Sequence, residues 1–361
     1  MSPASSRRLL FVLPAGTVSH EIETFRAIPD TEVVTLAGAD DPRPAQLRLP
    51  LRRIPVLGSP DRWTAALAWF EGLDQLDPGS VDAVVSLELF SVTSAAATRL
   101  AARLDVPHVV IVAEMLTESP FYRFPPWRGC TRRVVGRADL FVCDTEMAAA
   151  HAVALGCDSD RTKVVHPGID VGTFRPCDPD ERNVEPTVVT VGALRKGKGV
   201  LDVIVACDTV APRVPGLRLV VIGDGPLRRE AETMAATRPH VELRGRLPRT
   251  DVAREVARAH AFASAPHRHR FWVEQFGFGL VEAAACGLPI AATDCGAIRE
   301  VVPDHNPIVP ERDVDALSSA LLEVLGPAGS DWGGRNREFA CERYDLRTQG
   351  EKLGRLLAAV Y

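Results

Sequence analysis

Little in this sequence favours a membrane span, a metal centre or a disulfide framework. No apolar run approaches the ~18 residues that a bilayer crossing needs. The opening Arg7-Arg-Leu-Leu-Phe-Val-Leu-Pro14 resembles a signal peptide, but its apolar run is short and lacks a convincing cleavage site, so a first buried strand is the stronger reading. The eight cysteines show no C-x-x-C pair and no zinc-like spacing, which leaves no metal or disulfide to assign to them. Cys143, Cys207 and Cys286 stand in apolar runs and are expected as buried thiols, in keeping with a reducing, cytoplasmic setting. There is no excess of positive charge either. A net charge of −5 gives no electrostatic case for nucleic acid as a general partner. Lysine is scarce beside arginine, which points to a GC-rich genome and says nothing of pathway. Repeats and low-complexity segments are absent.

What is present is the composition of a globular protein: 46% hydrophobic, 25% charged, mean hydropathy +0.02. A chain of 361 residues is long for one core and fits two ordinary domains. Short β-branched runs alternate with helical stretches, which predicts α/β layers with parallel sheets. Expected strands in the first half are Leu9–Leu13, Val33–Leu36, Val81–Ser86, His108–Ala113, Leu140–Cys143 and Lys163–His166. The second half restarts with Thr187–Val191, Leu217–Ile222, Val241–Leu243, Ala261–Ala265 and Ile290–Thr293. Between them, a stretch rich in Pro, Gly and Asp marks a linker. The boundaries expected are 1–170 for the first domain, 171–186 for the linker, 187–335 for the second domain, and 336–361 for terminal helices packing back towards the first. Two Rossmann-like, doubly wound domains facing across a cleft would bind ligands at the carboxyl ends of their strands.

The most informative run is Glu274-Gln-Phe-Gly-Phe-Gly-Leu-Val-Glu282. Glu274 precedes a Phe-Gly turn and Glu282 lies inside the short helix it opens, which stops at Gly287 with Pro289 beyond. The glycines let unpaired backbone N–H groups approach a ligand, and such groups at a helix start bind phosphate. Two carboxylates flanking an anion cradle suit a sugar nucleotide, with hydroxyls at both ends and a diphosphate between. Taken alone, the pair also fits a surface helix with two ordinary glutamates.

Further motifs carry a family resemblance. Val191-Gly-Ala-Leu-Arg-Lys-Gly-Lys-Gly199, Val220-Val-Ile-Gly-Asp-Gly-Pro226, Val241-Glu-Leu-Arg-Gly-Arg-Leu247, the block from Trp272 to Glu300, and His166-Pro-Gly-Ile-Asp in the linker come in the order found in one family. Over residues 138–325 the chain resembles the donor half of GT-B glycosyltransferases, of the large retaining family 4, also called group 1. The resemblance implies that Lys198, with Arg195, places positive charge against a donor diphosphate. It implies that Glu274 hydrogen-bonds the donor sugar and Glu282 accepts from the ribose hydroxyls, since a carboxylate can take two neighbouring hydroxyls. Phe276, Gly277, Phe278 and Gly279 would supply the amide cradle. Gly223 and Asp224 would line the site, although a plain left-handed turn explains them equally well. Arg246 and Leu247 would lie near the nucleobase. Trp272 reads as a packing residue. One departure stands out: Ala193 replaces the family's usual arginine, and Arg195 is the candidate substitute.

The first half matches less closely. Its loop Pro14-Ala-Gly-Thr-Val-Ser-His-Glu21 offers Gly16 for close approach to the donor and His20 towards the acceptor, while Ser19 serves equally as a helix cap. Glu114, after a strand, fits either a polar role near the acceptor or a capping or salt-bridge role. Ser119-Pro-Phe-Tyr-Arg-Phe-Pro-Pro-Trp-Arg128, with Arg132 and Arg133, mixes aromatics and cations. It is read as a packed loop with snorkelling arginines in preference to an acceptor grip or a membrane contact.

The resemblance therefore implies a cytoplasmic, metal-independent, retaining transferase. It would move a hexose from a nucleoside diphosphate sugar, UDP- or GDP-linked, to a hydroxyl on a small molecule or glycan, with no other cofactor. A sugar-nucleotide epimerase or phosphorylase on the same fold, or a non-catalytic sugar-nucleotide-binding protein, remain as alternatives. The oligomeric state is open.

Overall fold

The computed structural model describes residues 7–12, 21–38, 45–53, 68–116 and 118–361. Gly16 and His20 fall outside the described residues. The chain divides into two compact units, one formed by residues 1–168 with 346–361 and the other by residues 169–345.

The first unit holds a seven-stranded parallel sheet in the order Leu47–Leu49, Thr31–Gly38, Arg7–Val12, Ala83–Leu87, His108–Val112, Leu140–Cys143, Thr162–Val164. The interior strand Arg7–Val12 shows why the sequence reads as an unbroken apolar run. Leu9 and Phe11 project to one face and Leu10 and Val12 to the other, and all four are fully buried. A parallel strand covered on both faces has no polar side to alternate with. Leu9 and Phe11 meet Ile22 and Phe25 of helix Glu21–Arg26 and Leu353 and Leu357 of the terminal helix Leu346–Ala358. Leu10 and Val12 meet Ala97 and Leu100 of helix Val92–Leu104 and Phe70 of the strand Ala68–Phe70, which pairs antiparallel with Leu51–Arg53.

The second unit repeats the plan with six parallel strands in the order Val241–Gly245, Arg218–Ile222, Thr187–Val191, Ala261–Ser264, Ile290–Thr293, Ile308–Val309. Helix Phe278–Ala285 covers one face, together with Phe174 and Tyr344. Helices Val200–Val210 and Val314–Val324 cover the other. Strand order reverses between Thr187–Val191 and Ala261–Ser264, so the loops after these two strands diverge to opposite sides. Doubly wound sheets bind their ligands in the crevice at such a switch point.

The long strands fall where the apolar runs place them. Leu47–Leu49, Ile308–Val309 and the antiparallel pair do not emerge from the sequence, because two or three residues are too few to show a period. Residues 171–186 lie within the second unit, where Phe174 is fully buried. Of the terminal helices, Trp332–Tyr344 belongs to the second unit and Leu346–Ala358 to the first. Gly350 permits the latter to approach the first unit closely: a Cβ there would lie 2.5 Å from the Ala27 carbonyl oxygen.

Leu353→Ala should therefore cost about 2–5 kcal/mol, and the loss should fall on the first unit. Hydrogen exchange is expected to quicken in Arg7–Val12 and Ala83–Leu87 and to stay unchanged in Thr187–Val191. Equal loss of protection in both sheets would contradict the placement of that helix.

Candidate functional site

The site in the second unit is assembled from loops that leave the carboxyl ends of the strands at the switch point. After Thr187–Val191, the turn Lys196–Lys198 leads through Gly199 into helix Val200–Val210. After Ala261–Ser264, the chain makes a tight hairpin in which the backbones of His269 and Trp272 exchange two hydrogen bonds of 3.0 Å. The Trp272 ring then packs on Gly197, where a Cβ would stand only 2.5 Å from it. The Lys198 ammonium lies 5.2 Å from the centre of that indole, within cation–π range. Trp272 thus acts through packing, as its sequence context implies.

Lys198 Nζ donates to Glu274 Oε2 at 2.6 Å. Glu274 is 6% exposed, so it is not the solvent-facing acid that ordinarily decorates a helix start. Its backbone is fixed as well. Ala297 donates its N–H to the Glu274 carbonyl at 3.0 Å, and Gly296, at φ +62°, lies so close that a Cβ would be 2.1 Å from that oxygen. The carboxylate and the ammonium thus satisfy one another within the fold, and a buried carboxylate needs such a partner.

Three residues beyond Glu274, Gly277 takes φ +79° and opens helix Phe278–Ala285. The amides of Phe278 and Gly279 belong to the first turn, whose N–H groups have no acceptor within the helix. Phe278 is half-buried at this end. The Phe276 ring is buried 4.9 Å from that of Phe278 and 5.5 Å from that of Tyr344, so it serves the core and has its backbone to offer a ligand. Gly279 likewise serves packing. A Cβ there would press on the Phe262 ring at 3.1 Å and the Val191 carbonyl oxygen at 3.2 Å, so the small residue lets the helix lie close on the sheet.

Glu282, one turn further along, is 4% exposed rather than a surface charge. Its Oε1 receives a hydrogen bond from Arg249 Nη1 at 2.8 Å, and the Arg249 guanidinium is stacked 4.8 Å from the centre of the Phe174 ring. Burial pushes the Glu282 carboxyl up to about 7, with Arg249 pulling against that shift. Arg249 is the site residue that the sequence does not reveal; it opens helix Arg249–Arg258 behind Pro248, a position that a first-turn cation seldom favours.

The remaining expected residues are placed as follows. Arg195 is exposed and heads the Lys196–Lys198 turn, its N–H donating to the Ala193 carbonyl at 2.8 Å. Gly223 crosses the Gly192 backbone, where a Cβ would lie 1.8 Å from its carbonyl oxygen. Asp224 accepts from the Gly225 N–H at 2.7 Å and from Arg228 at 3.2 Å, on the surface. Arg246 is exposed at a strand end, and Leu247 packs against the core. In the first unit Glu114 is 1% exposed and its Oε1 accepts from the Met115 and Leu116 amides at 2.9 and 3.1 Å. These two bonds are local, to the amides that follow the strand. All eight cysteines are free, with Cys143, Cys207 and Cys286 buried; burial pushes the Cys207 and Cys286 thiols up to about 12.

Two family models match the chain, one described as glycosyl transferases group 1 over residues 185–326 and one as a glycosyl transferase 4-like domain over residues 26–168. Among curated proteins, the GDP-mannose-dependent α-(1-6)-phosphatidylinositol monomannoside mannosyltransferase of Mycolicibacterium smegmatis is 29% identical over 253 residues, 65% of this chain and 66% of the relative. The protein of the same name from Mycobacterium tuberculosis is 32% identical over 235 residues, 58% of this chain and 60% of the relative. The chain thus spans less than two thirds of the length of either relative. Among solved structures, Anabaena HepE in complex with UDP and glucose superposes with a TM-score of 0.77 at 16% identity, over 98% of this chain and all of that one, a likeness of fold. Together the two models take in most of the sequence on either side of residue 168, and the chain belongs to the group 1, or family 4, glycosyl transferases of the GT-B fold.

Proposed function

We propose that this protein transfers a hexose, with retention and without a metal ion, from a nucleoside diphosphate sugar to a hydroxyl of a sugar or glycolipid. The observation that carries this reading is the pair of Lys198 with the buried Glu274, 2.6 Å apart, beside the N-terminal end of helix Phe278–Ala285. A diphosphate entering here would compete with Glu274 for the Lys198 ammonium. It would release the carboxylate to accept from sugar hydroxyls while Lys198, Arg195 and the helix amides meet the phosphate charge. Charge builds on the departing diphosphate as the sugar passes through an oxocarbenium-like state, so donors fixed in advance favour the transition state. The leaving phosphate then takes the acceptor proton on the same face.

Glu282 would hold the ribose. With Oε1 occupied by Arg249, the free Oε2 accepts from one hydroxyl, so recognition of both at once would require Arg249 to move. The mannosyltransferase relatives support a GDP-linked donor and a glycolipid acceptor, and the HepE complex supports a UDP-linked one.

The donor site is tested by thermal unfolding with UDP-, GDP-, ADP- and dTDP-sugars. One nucleotide class should stabilise the protein, by about 2.7 kcal/mol at a hundredfold excess over Kd, and Glu282→Ala and Lys198→Ala should abolish the shift. Lys198→Ala should also lower kcat by about 10²-fold or more. Stabilisation by none of the four would overturn the assignment.

Protonation gives a second prediction. The diphosphate diester of a nucleotide sugar stays ionised from pH 6 to 8, whereas Glu282 titrates near 7. Affinity should rise across that window in the wild type and stay level in Glu282→Gln. In the unliganded protein the sign is opposite. The folded-state pKa lies above the ordinary value of 4.5, so this group's contribution to stability is fully present below pH 4.5 and is lost as pH rises through about 7. Glu282→Gln should therefore gain Tm relative to wild type between pH 5 and 8, and a constant difference would refute the shift.

A further inference from the structure

A cavity of about 510 Å³ opens in the second unit. His260 and Pro289, on its wall, immediately precede the strands Ala261–Ser264 and Ile290–Thr293, so the cavity lies at the amino edge of the sheet. The candidate site leaves the carboxyl edge, and none of its residues lines this cavity. Small-molecule sites have volumes of ~300–1,000 Å³. The walls are held by backbone contacts. Arg337 donates through Nη1 to the carbonyls of Phe174 and Ala285 at 2.7 and 2.8 Å, and through Nη2 to that of Val171 at 3.0 Å. The Cys177 thiol donates to the Ala257 carbonyl at 3.0 Å. A Cβ on Gly333 would lie 2.5 Å from the Gly287 carbonyl oxygen, so the start of helix Trp332–Tyr344 is seated tightly on the end of helix Phe278–Ala285.

Among the described residues that line it there is no carboxylate, in a chain of net charge −5. The cations differ in what they have left to offer. Arg337 is engaged by three carbonyls. Arg182 uses Nε, which donates to the Ala259 carbonyl at 3.3 Å, and it forms no ion pair with a described residue, so its two Nη groups remain as donors. His260 is oriented by the Thr187 N–H, which donates to Nδ1 at 3.1 Å. The proton of the neutral ring therefore stands on Nε2. Burial, with the Arg182 charge beside it, lowers the His260 pKa and keeps the ring neutral. The rest of the wall is largely apolar, with Ala257, Val324 and Leu325 beside the buried Cys286.

One guanidinium and one imidazole N–H match the two oxygens of a single carboxylate. A phosphate monoester carries a second charge and would call for a further cation, which Arg337 does not supply. The apolar wall calls for a hydrocarbon body, whose burial adds the binding that a half-solvated ion pair lacks. We infer that this cavity is a ligand site in its own right, taking an organic carboxylate with an apolar body, the carboxylate on Arg182 and His260 and the body against Ala257, Val324 and Leu325. Its floor is the last turn of the helix that carries Glu282, since the Cys286 N–H donates to the Glu282 carbonyl at 3.0 Å. The inference rests on this cavity alone and does not depend on the donor site.

The test is calorimetric titration of the full chain with 2-naphthoate, with its neutral counterpart 2-naphthamide and with 2-naphthyl phosphate, beside hydrogen exchange. The carboxylate should bind one to one and slow exchange in residues 257–260, 286–289 and 324–334. The amide should bind about tenfold more weakly, and Arg182→Gln should weaken the carboxylate by about the same factor. Gly334 lines the cavity, and a Cβ there would meet nothing within 4 Å, so a leucine fits the helix and takes up cavity space. Gly334→Leu should therefore keep or raise Tm and abolish binding. Both variants should retain the wild-type circular dichroism. No binding of 2-naphthoate, equal binding of the amide, wild-type affinity in either variant, or protection confined to other residues would overturn the inference. Tighter binding of the phosphate than of the carboxylate would overturn the ligand class.

Discussion

Both units depend on one constraint: a parallel sheet has to be covered on both faces, because its strands are joined by crossovers that lay helices against it. Covering both faces requires the crossovers to change side, and where they do, the sheet opens at its carboxyl edge. In the second unit that opening lies between Thr187–Val191 and Ala261–Ser264. The residues of the candidate site are those that leave the sheet there, so the location of the site is a by-product of burying the apolar strands.

Placing charge at that opening is costly unless each charge has a partner. Lys198 and Glu274 satisfy one another, with the ammonium also against the Trp272 ring. Glu282 is less well served. One hydrogen bond from a partly exposed arginine does not compensate a nearly complete loss of water, and the carboxyl is held protonated to a higher pH than usual. The two glutamates of one short motif are thus both buried and each is paired with a cation from a distant part of the chain, Glu274 with Lys198 and Glu282 with Arg249. Evenly spaced acids on a sequence line give no hint of those partners.

The legible parts of the fold were those where one physical signal dominates. Strands such as Leu140–Cys143, Thr187–Val191 and Ile290–Thr293 are uninterrupted apolar runs between turn residues, and their bounds match the structure. Lys198, Glu274 and Gly277 could be singled out because motif and spacing fix them on one turn and one helix start. What stayed hidden depends on side chains brought together from distant positions. Phe276 and Gly279 lie inside the signature, yet the core and the sheet claim them. Arg249 lies 33 positions before Glu282 and carries no motif of its own. Glu114 was open between two roles, and its bonds to the next two amides favour the local one. The arginine-rich stretch reads in sequence as a packed loop with snorkelling arginines; it forms the helix Trp127–Val135, with Thr131 and Val134 buried and the arginines outward.

The return of Leu346–Ala358 to the first unit has a consequence for synthesis. The second unit is continuous, residues 169–345, and every strand and helix of it is synthesised before the terminal helix. The first unit has its whole sheet early but lacks Leu353 and Leu357, which close one face of that sheet. Domains usually mature from the N-terminus onward as the chain emerges. Here the order is reversed at the last step: the unit translated first is completed last, and until then it must hold an uncovered apolar face that chaperones would recognise.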